Sequence, residues 1–327
     1  MRSHLLTAAG VAVVLGLVLA GSADAQQALK LGHVYETEHP MHTAALDAAE
    51  HMRQCTGGEI TIEVYPASQL GKETALNEQI RFGGVDIVFT GQNFAAGAYP
   101  ALAIGAAPYI FKDREQALRY RTSDVFRELW QGWEEATGQH INAAAYFGAF
   151  NVSSNEPIVT PEDMQGMKVR VPDAPLYMAF PDAVGANPTP VAFAEVYLAL
   201  QQGLVSASVN PLPVTYAHKF YEVQDYVALT NHLIEYVLWV TGDHVWSALS
   251  ETQQGCLQET AERFGEQATA LVVEQEDSLR EEMTAEGMIE FTDPEVDAFI
   301  KATEAARQRL VEELAVPDGV VERIKAL

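Results

Sequence analysis

The chain has 327 residues, 48% of them hydrophobic, and a formal net charge of −25 from 45 acidic against 20 basic side chains. That is enough apolar material for a large core and for two domains. The acidity disfavours nucleic acid and anionic membranes as partners, but not a small anion, because surface charges are screened over about 8 Å while a buried arginine acts locally.

The chain starts MRSHLLTAAGVAVVLGLVLAGSADAQQ: Arg2 precedes an apolar run from Leu5 to Ala20, and Ala23-Asp24-Ala25 fits a cleavage site. This pattern predicts an export signal over residues 1–25, cleaved after Ala25. No later stretch is long and apolar enough to span a bilayer, so the mature chain is not expected to be membrane-embedded. Strand and helix signals then alternate. A strand is predicted over 28–35, a helix from Thr43 to Cys55 stopped by Gly57-Gly58, and a strand over 59–66. A helix from Glu73 ends at Gly83-Gly84, an apolar strand covers 85–89, and a long helix covers 113–136. The strand 140–147 closes this set. A second set holds Met167–Val171, helices over 174–185 and 192–203, and strands over 205–210 and 236–242. The rest reads as helix over 251–283 and 294–314. Alternation of this kind predicts an α/β fold with a largely parallel sheet. Without a flexible linker, the chain is expected to cross between two lobes more than once.

Catalytic constellations are missing: there is no G-x-S-x-G elbow, H-E-x-x-H, P-loop or G-x-G-x-x-G after a strand, so no enzyme, catalytic residue or cofactor is predicted. His39-Pro-Met-His42, with His33 and His51 nearby, lacks the Cys or Glu that would complete a metal site. Asn151-Val152-Ser153 matches a glycosylation sequon and reads as a loop-edge asparagine. Cys55 and Cys256 are two buried thiols or one disulfide, and their sequence separation does not decide between these.

Arg170 is the outlying residue. It sits near the carboxyl end of a short apolar strand, just before Val171-Pro172, where parallel sheets place ligands. Its counter-charge is either an internal acid such as Glu195 or a ligand carboxylate, which a guanidinium grips with two parallel hydrogen bonds. The segments GMKVRVP (166–172), GANPTPVAFAEVYLALQQGLVSASVNPL (185–212), YPASQLGKE (65–73), KFYEVQ (219–224) and TNH (230–232) resemble the DctP-type solute-binding proteins of TRAP transporters. The resemblance spans nearly all of the mature chain. It implies a two-lobed periplasmic clamshell, with an organic acid held in the cleft and long C-terminal helices bracing both lobes. The implied lobes are 26–147 plus 236–275 and 148–235 plus 276–327. It also implies a monomer that hands its ligand to TRAP membrane permease subunits, without covalent chemistry. Arg170 matches the arginine that holds the ligand carboxylate, Phe193 an aromatic packed on the ligand body, and Asn210 an amide that bonds the carboxylate or a neighbouring hydroxyl.

Departures from the family pattern bear on ligand class. Phe150 stands where sialic-acid binders carry a second arginine, and Gly91 stands in place of an acid. A large sugar acid loses partners here, while Phe147, Phe150, Phe193, Tyr35 and Tyr236 are expected to form an apolar wall. Glu73 holds a position that is often polar and ligand-facing. The expected ligand is a small organic acid with one dominant carboxylate. A C4-dicarboxylate, a sugar acid, or a ligand-sensing role beside a membrane signalling protein are the alternatives.

Overall fold

The computed structural model describes residues 26–327, so the expected export signal and its cleavage point lie outside the described residues. Nine strands form one sheet: β1 (Gln27–Gly32), β2 (Ile60–Tyr65), β3 (Ile87–Gly91), β4 (His140–Ser154), β5 (Lys168–Val171), β6 (Asn187–Pro190), β7 (Ala207–Asn210), β8 (Tyr226–Thr241) and β9 (Glu290–Thr292). Their order is β2-β1-β3-β8-β4-β7-β5-β6, with β9 beside β8. β1 pairs in parallel with β2 and β3, and β5 with β6 and β7. The centre differs from the expectation of a largely parallel sheet. β4 and β8 are antiparallel to each other, and β8–β3 and β4–β7 are antiparallel too. The reason is topological: β4 carries the chain from the β2-β1-β3 side of the sheet to the β7-β5-β6 side and β8 brings it back, so the two run in opposite directions.

These central strands, 15 and 16 residues long, are the frame of the molecule. The stretch His140–Tyr146 pairs with Tyr236–Thr241, and Val152–Ser154 pairs with Tyr226–Ala228, so each strand extends through both halves of the sheet. Between these halves the register shifts at Tyr146/Gly148. Gly148 has φ 121°, and a Cβ there would lie 2.8 Å from the Pro211 Cβ and 2.9 Å from Glu276 Oε1. Only glycine fits this bend without rearrangement.

Capping chemistry sets the helix boundaries. The helix Pro40–Cys55 starts three residues before its expected first turn, because the His39 ring accepts the Met41 amide at 3.2 Å and Pro40 occupies the first turn. The helix expected over 113–136 is two, Arg114–Arg121 and Asp124–Thr137, since Asp113 and Ser123 each cap a fresh start. The helix Glu251–Ala285 runs 35 residues from a Ser250/Gln253 capping box. Its buried stripe, from Leu257 through Phe264 and Val272 to Met283, follows helical spacing. The Thr269 hydroxyl accepts the Tyr146 amide of β4, and Glu276 accepts the Ala149 amide, so the helix braces both halves of the central strands. Cys256 of this helix forms a disulfide with Cys55, their Cα atoms 5.8 Å apart. The helix Val296–Glu313 packs on the second set of elements, against Ala179–Ala183. The last helix, Val320–Lys325, turns back to the first: Arg323 pairs with Glu128, and the Ile324 carbonyl accepts Gln116 Nε2.

Candidate functional site

Carboxyl ends of strands from both lobes meet around one cavity of about 50 Å³. β3 brings Gly91, β5 brings Arg170, β7 ends on Asn210, and the segment after β1 brings Val34 and Tyr35. Phe94, Phe147, Phe150, Tyr177 and Phe193 add aromatic walls, and Glu73 and Glu235 add carboxyls. Room of this size holds a few waters or a compact solute.

Arg170 is 1% exposed. Its Nε and Nη2 donate to the Val191 carbonyl at 3.1 and 3.0 Å, and Nη1 donates to Asn210 Oδ1 at 3.2 Å. Asn210 is itself oriented by donating to Ser208 Oγ at 2.8 Å. A guanidinium carries five N–H donors, so two remain unused. Among the described residues no carboxylate lies within 4 Å of it. Glu195, the internal acid weighed from sequence, is exposed and makes no such pair. Phe193 lies under the guanidinium at 5.6 Å, a cation–π contact. Burial lowers the Arg170 pKa to about 9, with Tyr177 and Glu73 acting in the opposite direction, so the group is charged at neutral pH.

Glu73 opens the helix Glu73–Gln79, and its Oε1 accepts the Gly91 amide at 2.6 Å and the Thr90 hydroxyl at 3.1 Å. Burial raises its pKa to about 7 against those bonds and the field of Arg170. Tyr35, Phe147 and Phe150 line the cavity as expected, Phe150 stacking on Tyr177 at 5.7 Å. Tyr236 does not. It is buried on the other side of β8 among Tyr120, Phe126 and Phe111, and its hydroxyl donates to the Ala117 carbonyl at 2.7 Å. Strand alternation explains the correction, because the pleat that turns Tyr236 into the core turns its neighbour Glu235 to the cleft.

Sequence reading missed Glu235, Tyr177 and Asn93. Glu235 is 1% exposed and fully engaged. Its Oε1 accepts the Gln92 and Tyr236 amides at 3.0 and 3.2 Å, and its Oε2 accepts Asn93 Nδ2 at 2.7 Å and the Tyr177 hydroxyl at 2.5 Å. Burial pushes its pKa up to about 8. A lone acid in the apolar run LIEYVLWV was the available signal, of the same kind as the lone arginine in MKVRV. Lys72 and Asp173 face each other at the rim, 3.6 Å apart and both exposed, which is worth little.

A pH dependence follows from the acids. Their folded pKa values exceed the unfolded value near 4.3, so the native state holds the extra protons and stability falls as pH rises toward about 8. His33, His218 and His232, held at about 3, 4 and 3 by desolvation, and His39 and His42, lowered by the same cause, stay neutral in the folded state but take up protons in the unfolded chain near pH 6.5, which opposes the trend there; above about pH 7.5 they are neutral in both states. Urea unfolding of the ligand-free protein is expected to lose roughly 1 kcal/mol between about pH 7.5 and 9, and Glu235→Gln to flatten most of the slope. An equally steep slope in the variant would assign the loss elsewhere.

The histidines are tied to one another and to the fold by hydrogen bonds. The His33 and His42 rings bond each other at 3.1 Å, His51 bonds Thr260, and no group of three metal-ligating side chains occurs among the described residues. Asn151 is no loop-edge residue: it is buried in β4, where its Oδ1 accepts the Asn231 amide.

The model of the DctP family, described as bacterial extracellular solute-binding protein, family 7, matches residues 31–314. The chain belongs to this family. A solute-binding protein of Roseobacter denitrificans is 32% identical over 321 residues, covering 98% of this chain and 95% of the relative. The sialic acid-binding periplasmic protein SiaP of Vibrio cholerae is 30% identical over 318 residues, 96% of this chain and 97% of that one. Among solved structures, a TRAP periplasmic solute-binding protein from R. denitrificans with bound L-galactonate superposes with a TM-score of 0.83 at 30% identity, covering 92% of this chain and 98% of that one. This family 7 member therefore has the two-lobed binding-protein fold, with its cavity in the cleft, and belongs to a group of solute binders rather than enzymes.

Proposed function

We propose that this family 7 protein is the periplasmic binding component of a TRAP transporter, and that it captures a small organic acid by its carboxylate on Arg170. The observation that carries this reading is a buried, charged guanidinium that lines the cavity with two spare N–H donors and no internal carboxylate. Such a group costs several kcal/mol to bury unless an anion meets it. Asn210 supplies the second polar contact, Phe193 and the other rings pack on the ligand body, and Glu73 meets its polar substituent. The matured chain, cut after Ala25, delivers the acid to the membrane permease subunits as a monomer.

The lobes we assign are 26–147 with 236–275 and the last helix, against 148–235 with 276 to about 314; the hinge runs through Gly148, Glu235 and the long helix. Cavity residues come from both, so contacts to the ligand are complete only when the cleft is closed. Solution scattering is expected to give a smaller radius of gyration at ligand saturation, and an unchanged curve would count against closure. A thermal-shift screen over monocarboxylates, sugar acids and C4-dicarboxylates tests the function itself. A ligand at 100 times its Kd adds about 2.7 kcal/mol of stability, and a screen in which no acid shifts the transition would sink the proposal.

A further inference from the structure

Gly91 marks a place where three side chains converge. A Cβ at this position would lie 3.4 Å from the Tyr177 hydroxyl, 3.6 Å from the Glu235 carboxyl carbon and 3.6 Å from Glu73 Oε1. The volume that a longer residue at 91 would fill is thus filled by an acid reaching in from β8 and by the tyrosine that holds it. Glu235 is fixed by its four donors, two backbone amides among them. Glu73 keeps one oxygen free: Oε1 takes two bonds, and Oε2 has no hydrogen-bond partner among the described residues. Arg170 and Asn210 lie on β5 and β7 of the 148–235 segment, Glu73 opens a helix of the other lobe, and Glu235 sits at the hinge between them. The only other cation lining the cavity, among the described residues, is Lys72, which is exposed and paired with Asp173. The site is therefore cationic at Arg170 and acidic at Glu73 and Glu235.

We infer that Glu235, locked by Tyr177, is the specificity-determining residue that restricts this site to ligands with a single carboxylate, whose remote end carries a hydroxyl or ammonium group. The inference rests on the Arg170 clamp. With the first carboxylate on Arg170, the remote group of a compact ligand meets the Glu73–Glu235 wall. A hydroxyl or ammonium donates to the free Glu73 oxygen, and the four donors that already hold Glu235 keep that wall in place. A second carboxylate finds no donor there and faces like charge, which lowers affinity on the order of 100-fold. The groups facing Glu235 are Tyr177, Tyr35, Tyr236 and Glu73, with Arg170 acting on Tyr177 and Glu73 and Arg121 on Tyr236. When the acids are protonated the repulsion weakens, so rejection of the dicarboxylate is sharper at pH 8.5 than at pH 6.

Calorimetry with matched pairs tests this: 3-hydroxypropanoate against malonate, 4-hydroxybutanoate against succinate, and 5-hydroxypentanoate against glutarate, with the ω-amino acids as a third arm. Wild type at pH 8.5 is expected to prefer the hydroxy or amino acid by roughly 30-fold or more in the pair that fits, and by less at pH 6. Glu235→Gln, isosteric and uncharged, is expected to shrink that preference to within several-fold while the hydroxy acid still binds. Tyr177→Phe releases one holder of Glu235 and gives an intermediate ratio, which keeps the test open if Glu235→Gln does not fold. A wild type that favours the dicarboxylate, or a preference unchanged in both variants, overturns the inference. Arg170→Ala separates the two levels. Loss of every ligand there, with unchanged ratios in the Glu235 and Tyr177 variants, overturns the specificity assignment alone, whereas unaltered binding there overturns the clamp.

Discussion

Arg170→Ala is expected to abolish measurable capture of the acid ligand while the ligand-free protein stays folded. Truncating one partner of a buried charged pair costs 2–5 kcal/mol or more, roughly 30-fold to several thousand-fold in Kd. The folded state should survive because the guanidinium has no internal anion to strand. Its three bonds go to the neutral acceptors Val191 O and Asn210 Oδ1, and its removal also relieves the cost of a buried cation. Arg170→Lys keeps the charge but loses the planar fork, so affinity should fall clearly yet by less. Calorimetry with circular dichroism as the folding control checks both variants. Normal binding by Arg170→Ala would end the clamp reading, and an unfolded variant would make Arg170 a structural residue.

How far the sequence foretold this site depends on the kind of signal each residue carried. Arg170 was legible because a charge in an apolar strand is anomalous by itself, and Asn210, Phe193 and Glu73 came from motif resemblance. All four line the cavity. Tyr236 was misplaced by one step of the pleat, an error that turns a side chain from the cleft to the core. Glu235 shows the converse: its partners Gln92, Asn93 and Tyr177 lie 143, 142 and 58 residues away, so nothing local announced the acid's role. The same limit hid the antiparallel centre of the sheet. Periodicity in HINAAAYF and YVLWVTG identifies strands, but the partner and direction of a strand are set by tertiary pairing. Helix extents were closer, because caps such as Ser250 and Ser123 act within four residues.

The disulfide is the other point at which sequence left two options, and its removal is expected to produce the largest loss of stability without a loss of function. The bridge closes a loop of 201 residues, for which loop-closure entropy alone gives about 5 kcal/mol, against typical measured values of 2–4 kcal/mol. It ties the end of the helix Pro40–Cys55 to the long brace Glu251–Ala285, and neither cysteine lines the cavity. The contact it reinforces is between two helices that Arg263–Asp47 at 2.7 Å and the buried Met52–Thr260 contact already hold together. Cutting the bridge should therefore raise the free energy of the folded state relative to a less constrained unfolded chain, while leaving the native geometry and the hinge alone. The Cys55→Ser, Cys256→Ser double variant is expected to unfold at lower urea concentration, with a loss of about 2–4 kcal/mol, and to bind the acid with unchanged Kd at 25 °C. Reduction of the wild type should reproduce the shift. A double variant as stable as the wild type would mean that the helix contacts alone hold this seam, and a weakened Kd at full folding would mean that the seam transmits strain to the cleft.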